Sequence, residues 1–145
     1  MSTITPEQEQ AIRDRVLSHH LSAGPGDEED ACSVASINLA LTGQLTDDIP
    51  ACMSEVVGNW IIGVQDAMPD AMRNSDQWKG LLPLAAGTGR DPADERRRLN
   101  LILEWMWGSV LPPLQPLADA HGFGREWAAM CRERTSAAAY AAAYA

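Results

Sequence analysis

Apolar residues recur every three or four positions along most of this chain, and no stretch alternates apolar with polar residues in the β-branched manner of a strand. The longest series is Ile49, Met53, Val56, Val57, Trp60, Ile61, Val64 and Met68, which forms one face of an amphipathic helix. It predicts a helix that begins at Asp47 or Asp48 and ends before Pro69. A second series, Leu99, Ile102, Leu103, Met106 and Val110, is widened by Leu101 and Trp105 until Asn100, Glu104 and Gly108 are the polar remainder. So apolar a helix is expected at the centre of the fold. Trp105 and Trp107 lie about 200° apart around it, so one of the two is expected at an edge or an interface.

Local signals place the remaining elements. Thr5, Pro6 and Gln8 combine a cap, a first-turn proline and a capping-box partner, and predict a first helix running to about Leu21. Residues 22–26, with Gly24, Pro25 and Gly26, break the chain; Asp27, Glu28, Glu29 and Asp30 then sit where the macrodipole of a second helix favours carboxylates. That helix carries residues 32–42, and Gly43 is its stop. A short helix is expected from Ser75 to about Leu82, limited by Pro83. After the loop Gly87 to Arg90, Asp91 and Pro92 restart a helix. Pro112, Pro113 and Pro116 fragment the next stretch, a short helix to His121 follows, and Gly122 to Gly124 breaks again before a helix from Arg125 in which Trp127 and Cys131 stack. These readings predict an all-α bundle of six or seven helices without a sheet, as one domain through residue 135 and a tail over 136–145.

The tail, Ser136-Ala-Ala-Ala-Tyr140-Ala-Ala-Ala-Tyr144-Ala145, is the low-complexity segment of the chain. Alanine favours helix, and tyrosines four apart share one face. Tyr140 and Tyr144 lie well round from Trp127 and Cys131, so the tail offers a second face that suits a partner or self-association.

A net charge of −9 argues against affinity for nucleic acid or an anionic membrane, and points to protein partners. Three cysteines, Cys32, Cys52 and Cys131, are an odd number without short spacing, so they are expected reduced and mostly buried. The first ten residues carry neither a basic region nor an apolar run, and no apolar stretch is long enough to span a bilayer, so a cytoplasmic protein is expected. Five Trp against one Phe suggest that some of the tryptophans serve a partner surface.

Catalytic chemistry has little to stand on. His19, His20, His121 and the cysteines lack metal-ligand spacing, and the two adjacent histidines are explained by the C-terminal turn of the first helix. No cofactor or metal ligand is assigned. Neither a nucleophile elbow nor a Walker loop is present, and Asp91, Asp94 and Glu95 oppose phosphate at the loop that precedes them. Arg96, Arg97 and Arg98 point about 100° apart and form no single patch, which leaves Arg90 with Arg97 as anchors for an acidic partner. The carboxylates Asp27 to Asp30, Asp47, Asp48, Asp66, Asp70 and Asp76 gather at expected loops and helix ends, where they cap helices or, displayed together, imitate a nucleic acid.

Taken as a block, residues 32–50, Glu104-Trp-Met-Trp-Gly108 and His121-Gly-Phe-Gly-Arg-Glu-Trp127 resemble a family of uncharacterised proteins from bacteriophages and bacterial genomes, many with longer Ala-Ala-Ala-Tyr tails. The resemblance implies no activity or catalytic residue. It does imply a shortened tail and a small protein that binds and redirects a host machine.

The leading expectation is therefore a non-enzymatic, acidic interaction module that binds a host protein such as a defence nuclease, or itself. Its contacts are expected at Tyr140, Tyr144, Trp105, Trp107 and the run Asp27, Glu28, Glu29 and Asp30. A metal-dependent hydrolase using Asp66, Asp70, Glu104 and His121, and a virion structural or assembly protein, are the alternatives.

Overall fold

A computed structural model describes residues 4–145; the first three residues of the stretch read above as lacking a leader lie outside them. Among the described residues the fold is all-α, with nine α-helical segments of which one is a single turn, and one isolated bridge between Gly26 and Ala31 in place of any strand. No helix is long and apolar enough to cross a membrane. The chain divides into two compact units, one ending at Arg96 and the other comprising Arg97–Ala145. The boundary expected at residue 135 is not where the structure divides, because the tail packs on the helix before it within the second unit.

The first unit holds α1 (Pro6–Ser18), α2 (Ser33–Thr42), α3 (Glu55–Ala67), α4 (Asp70–Arg73), α5 (Asp76–Ala86) and the start of α6 (Pro92–Trp105). Helix α1 packs on α2 and α5, and α2 on α3, around a core that includes Ile12, Val16, Leu21, Ile37, Met53 and Leu82, all fully buried. Each such side chain contributes about 1.5–3 kcal/mol relative to exposure.

The capping signals act as expected at α1, where Thr5 and Gln8 close a capping box, at Gly43, which ends α2 with φ 73°, and at Asp91, whose carboxylate accepts from the N–H groups of Ala93 and Asp94. Other boundaries move because distant side chains hold the backbone. Helix α1 stops at Ser18 because the Leu21 carbonyl takes the Arg73 Nε–H at 3.0 Å, the Leu21 N–H donates to Asn74 at 2.7 Å, and Lys79 bonds the His19 carbonyl at 2.8 Å.

Helix α3 starts at Glu55, later than Asp47 or Asp48. Buried Asn38 donates to the carbonyls of Thr46 and Asp48, and Arg90 donates to those of Ile49, Pro50 and Met53, so this segment is held in non-helical form, with a turn at Ala51–Met53, until Ser54 caps the helix. Ile49 still packs on the core, so close beneath Gly58 that a Cβ there would meet Ile49 Cγ2 at 2.7 Å. Pro83 does not limit α5. It lies inside the helix, and the burial of Leu82, Pro83, Ala85 and Ala86 offsets the hydrogen bond that proline removes.

In the second unit α6 continues into a π-helical turn, Met106–Val110, and a 3₁₀ turn, Pro112–Leu114. The Leu111 N–H reaches back five residues to the Met106 carbonyl at 3.0 Å, a widening placed where Pro112 and Pro113 have no N–H to offer. Then come α7 (Gln115–Ala120), α8 (Gly124–Glu133) and α9 (Ser136–Ala143). The helix expected to run on from Arg125 is broken: Arg134 adopts a left-handed conformation at φ 53°, and Thr135 caps a new helix by accepting from the Ala138 N–H. The small core here is Met130, Ala138 and Ala142, with Trp107, Leu111, Trp127 and Cys131 packed against it. The expectation of a central helix at residues 92–110 is overturned, because α6 buries no residue.

Candidate interaction surfaces

Helix α9 separates its small and large side chains. Ala138 and Ala142 face α8 and are 8 % exposed, whereas Tyr140 and Tyr144, about 200° around the helix, are 66 % and 75 % exposed. The two phenol rings lie on each other with centroids 4.4 Å apart and planes tilted by 33°. Stacking in this way removes part of each ring from water and restricts their rotamers before any partner arrives.

Trp105 and Trp107 divide as their angular separation requires. Trp107 packs against the core of Met130, Ala138 and Ala142, while Trp105 is 46 % exposed. On the same helix Leu99, Leu101 and Leu103 are also exposed, so α6 presents large apolar side chains on several sides. Beside α7, His121 stacks on Phe123 at 6.3 Å between centroids, and Phe123 meets Trp127 at 6.2 Å, which places this histidine in an aromatic row.

The acidic run lies in the first unit, and it does not begin a helix. Helix α2 starts at Ser33, capped by Cys32, and residues 27–30 form a turn of their own. The Asp27 carboxylate accepts from the N–H groups of Glu29 and Asp30, both at 2.9 Å, and those bonds hold its pKa below the usual carboxylate range. Gly26 makes the turn possible: its φ is +69°, and a Cβ there would sit 1.9 Å from the Asp30 carbonyl oxygen. Arg15 donates to the Glu28 carbonyl and so ties the turn to α1. Glu28 and Glu29 are exposed.

The residues of the hydrolase alternative each have a place within their own unit. Asp66 accepts from the Gly24 N–H at 2.9 Å, Asp70 pairs with His20 and Arg73, Glu104 lies exposed on α6 in the other unit, and His121 is stacked on Phe123. Among the described residues no three His, Cys, Asp or Glu side chains stand close enough to share a metal ion. Burial pushes the Cys32 and Cys52 thiols up, away from thiolate chemistry. Arg90 is no anchor for an acidic partner, since its guanidinium is engaged by three backbone carbonyls and Glu55.

Two features escaped the sequence. One is an apolar groove of 350 Å³ lined by Met68, Met72, Trp78 and Leu81, which adjoins a second of 230 Å³ through the shared Trp78 and Leu81. Its residues come from α4, α5 and the cap just past α3, and the i, i+3 pair Trp78 and Leu81 was the one available signal. The other is the pairing of His20 with two carboxylates, 10 and 50 residues away, for which sequence spacing holds no signal. Compared with family models, with curated proteins and with solved structures, the chain gives no match.

Proposed function

We propose that this acidic helical protein works by contacting another protein, without catalysis of its own, and that Tyr140 and Tyr144 form the contact. The observation that carries this reading is the stacked, solvent-facing tyrosine pair on a helix whose opposite face is already docked through alanines. Large aromatic side chains are the usual anchors of protein interfaces, and a pair this exposed retains most of its apolar area for a partner. The exposed side chains of α6, Trp105 among them, extend the apolar surface of the same unit. The charge excess lies in the first unit, residues 97–145 carrying five arginines against four carboxylates, so the contact rests on apolar area rather than on charge. The resemblance to phage and bacterial proteins makes a host protein the partner of choice.

The double substitution Tyr140→Ala and Tyr144→Ala leaves the docked alanine face intact, so the fold is retained. Purified wild-type and double-variant proteins are compared by light-scattering mass and by quantitative recovery of bound host proteins. The expected outcome is a complex, with itself or with one host protein, that the double variant weakens at least about tenfold, equivalent to 1.4 kcal/mol. Equal mass and equal recovery for both proteins overturn the assignment.

A further inference from the structure

His20 stands just past the end of α1 with one ring nitrogen on each of two carboxylates. Nδ1 is 3.0 Å from Asp30 Oδ1 in the acidic turn, and Nε2 is 2.9 Å from Asp70 Oδ1 on α4. Hydrogen-bond chemistry restricts the states in which this can exist. Ionised carboxylates only accept, and a neutral imidazole carries one N–H and one lone pair. A neutral ring can therefore satisfy one aspartate while its bare nitrogen faces the other, oxygen against nitrogen lone pair, at about 3 Å. Only the imidazolium, with two N–H groups, donates to both.

From this geometry we infer that His20 is a proton-operated clasp that fastens the acidic turn Asp27–Asp30 to α4 when charged and releases one side when neutral. The charged groups around it fit the role. On α4, Arg73 shares Asp70 at 3.2 Å; on α1, Arg15 holds the Glu28 carbonyl and its guanidinium lies 3.2 Å from the His19 ring; on α5, Lys79 holds the His19 carbonyl; on α3, Asp66 holds the Gly24 N–H. These ties fix the chain on either side of the turn and leave Asp30 as the side chain through which the turn itself reaches α4. The hydrogen bond from His20, with Arg73 behind it, holds the Asp70 carboxyl below its usual range, which favours its ionised, accepting form. The ring is 48 % exposed, so protons reach it without any rearrangement. Glu28 and Glu29 ride on the same turn, so the clasp sets how rigidly these carboxylates are displayed.

Asp30→Asn separates this device from a merely structural role. The amide that this substitution introduces can donate to the bare nitrogen of a neutral ring while the other N–H still donates to Asp70, so the variant closes in both protonation states. Wild type and Asp30→Asn are digested with a glutamate-specific protease that cuts after Glu28 and Glu29, at several values between about pH 5.5 and pH 8, the span in which imidazoles change charge. The ratio of the two cleavage rates at each pH cancels the protease's own profile. The expected ratio is near one at the acid end, with wild type about fivefold faster at the alkaline end, the scale of one exposed charge-assisted tie. Nitrogen-15 NMR of the His20 ring follows the same transition, with both nitrogens protonated in the closed form. A ratio that stays constant with pH, or a variant cut faster than wild type throughout, overturns the clasp.

Discussion

The two units build their cores on different scales. The largest fully buried side chains, Ile12, Leu21, Ile37, Met53 and Leu82 among them, all belong to the first unit, where four helices, α1, α2, α3 and α5, close over them. In the second unit the buried core is one methionine and two alanines from α8 and α9, while Leu99, Leu101, Leu103, Trp105, Leu114 and Leu117 stay exposed. Apolar side chains are present in both, so composition does not separate them. What separates them is how many long helices converge: four in the first unit, and two with a π-helical turn in the second. Stability is concentrated where more converge, and capacity for contact where fewer do.

The sharpest way to break that comparison is a pair of leucine truncations. Leu82→Ala, at 0 % exposure, is expected to cost about 2–5 kcal/mol in urea unfolding, whereas Leu101→Ala, at 59 % exposure, should stay within about 0.5 kcal/mol. Equal costs would mean that the α6 surface is as well covered as the first core. A smaller, local effect is expected at the hinge of the second unit. Thr135→Ala removes the cap of α9 and should cost about 1 kcal/mol, seen as faster amide exchange in Ala138–Ala143 with exchange in α1 unchanged.

The smallest effect is set by acid. Glu7, Asp27 and Asp70 in the first unit, and Glu126 in the second, have pKa values lowered in the folded protein, by backbone N–H groups at Glu7, Asp27 and Glu126 and by His20 at Asp70. A lowered folded-state pKa gives stabilisation that is present above the ordinary carboxylate range and lost as pH falls through the folded value. Acid titration below about pH 4 should therefore loosen the first unit around α1, α4 and the acidic turn more than the second. Amide exchange that rises first in α8 would reverse that ranking.

Elements set by neighbouring residues were legible in the sequence, and elements set by distant ones were not. Thr5 with Gln8, Asp91 with Pro92, and Gly43 act within a single turn, and their helices begin or end where these residues stand. The start of α3 depends on Asn38 and Arg90, up to 41 residues away, which take the carbonyls a longer helix would need. The periodicity from Ile49 to Met68 correctly marked a core-facing line, but Ile49 and Met53 reach it from the loop and turn before α3. At the candidate contact, the four-residue spacing of Tyr140 and Tyr144 was enough to foresee one shared face. The break at Arg134, which turns α9 back onto α8, was not foreseen, because arginine carries no preference for the left-handed conformation it adopts there.

The alanine face of α9 has a further consequence for how the tyrosines are offered. Ala138 and Ala142 each bring one methyl group to the contact, worth about 0.8 kcal/mol apiece, so on the α9 side the attachment amounts to about 1–2 kcal/mol. The rest of the seat is supplied from the other side, where Met130 is buried and Trp127 and Cys131 pack against the same cluster. Tyr140 and Tyr144 are thus offered from a helix that brings little to its own seat, so what holds the pair in place is supplied mainly by α8.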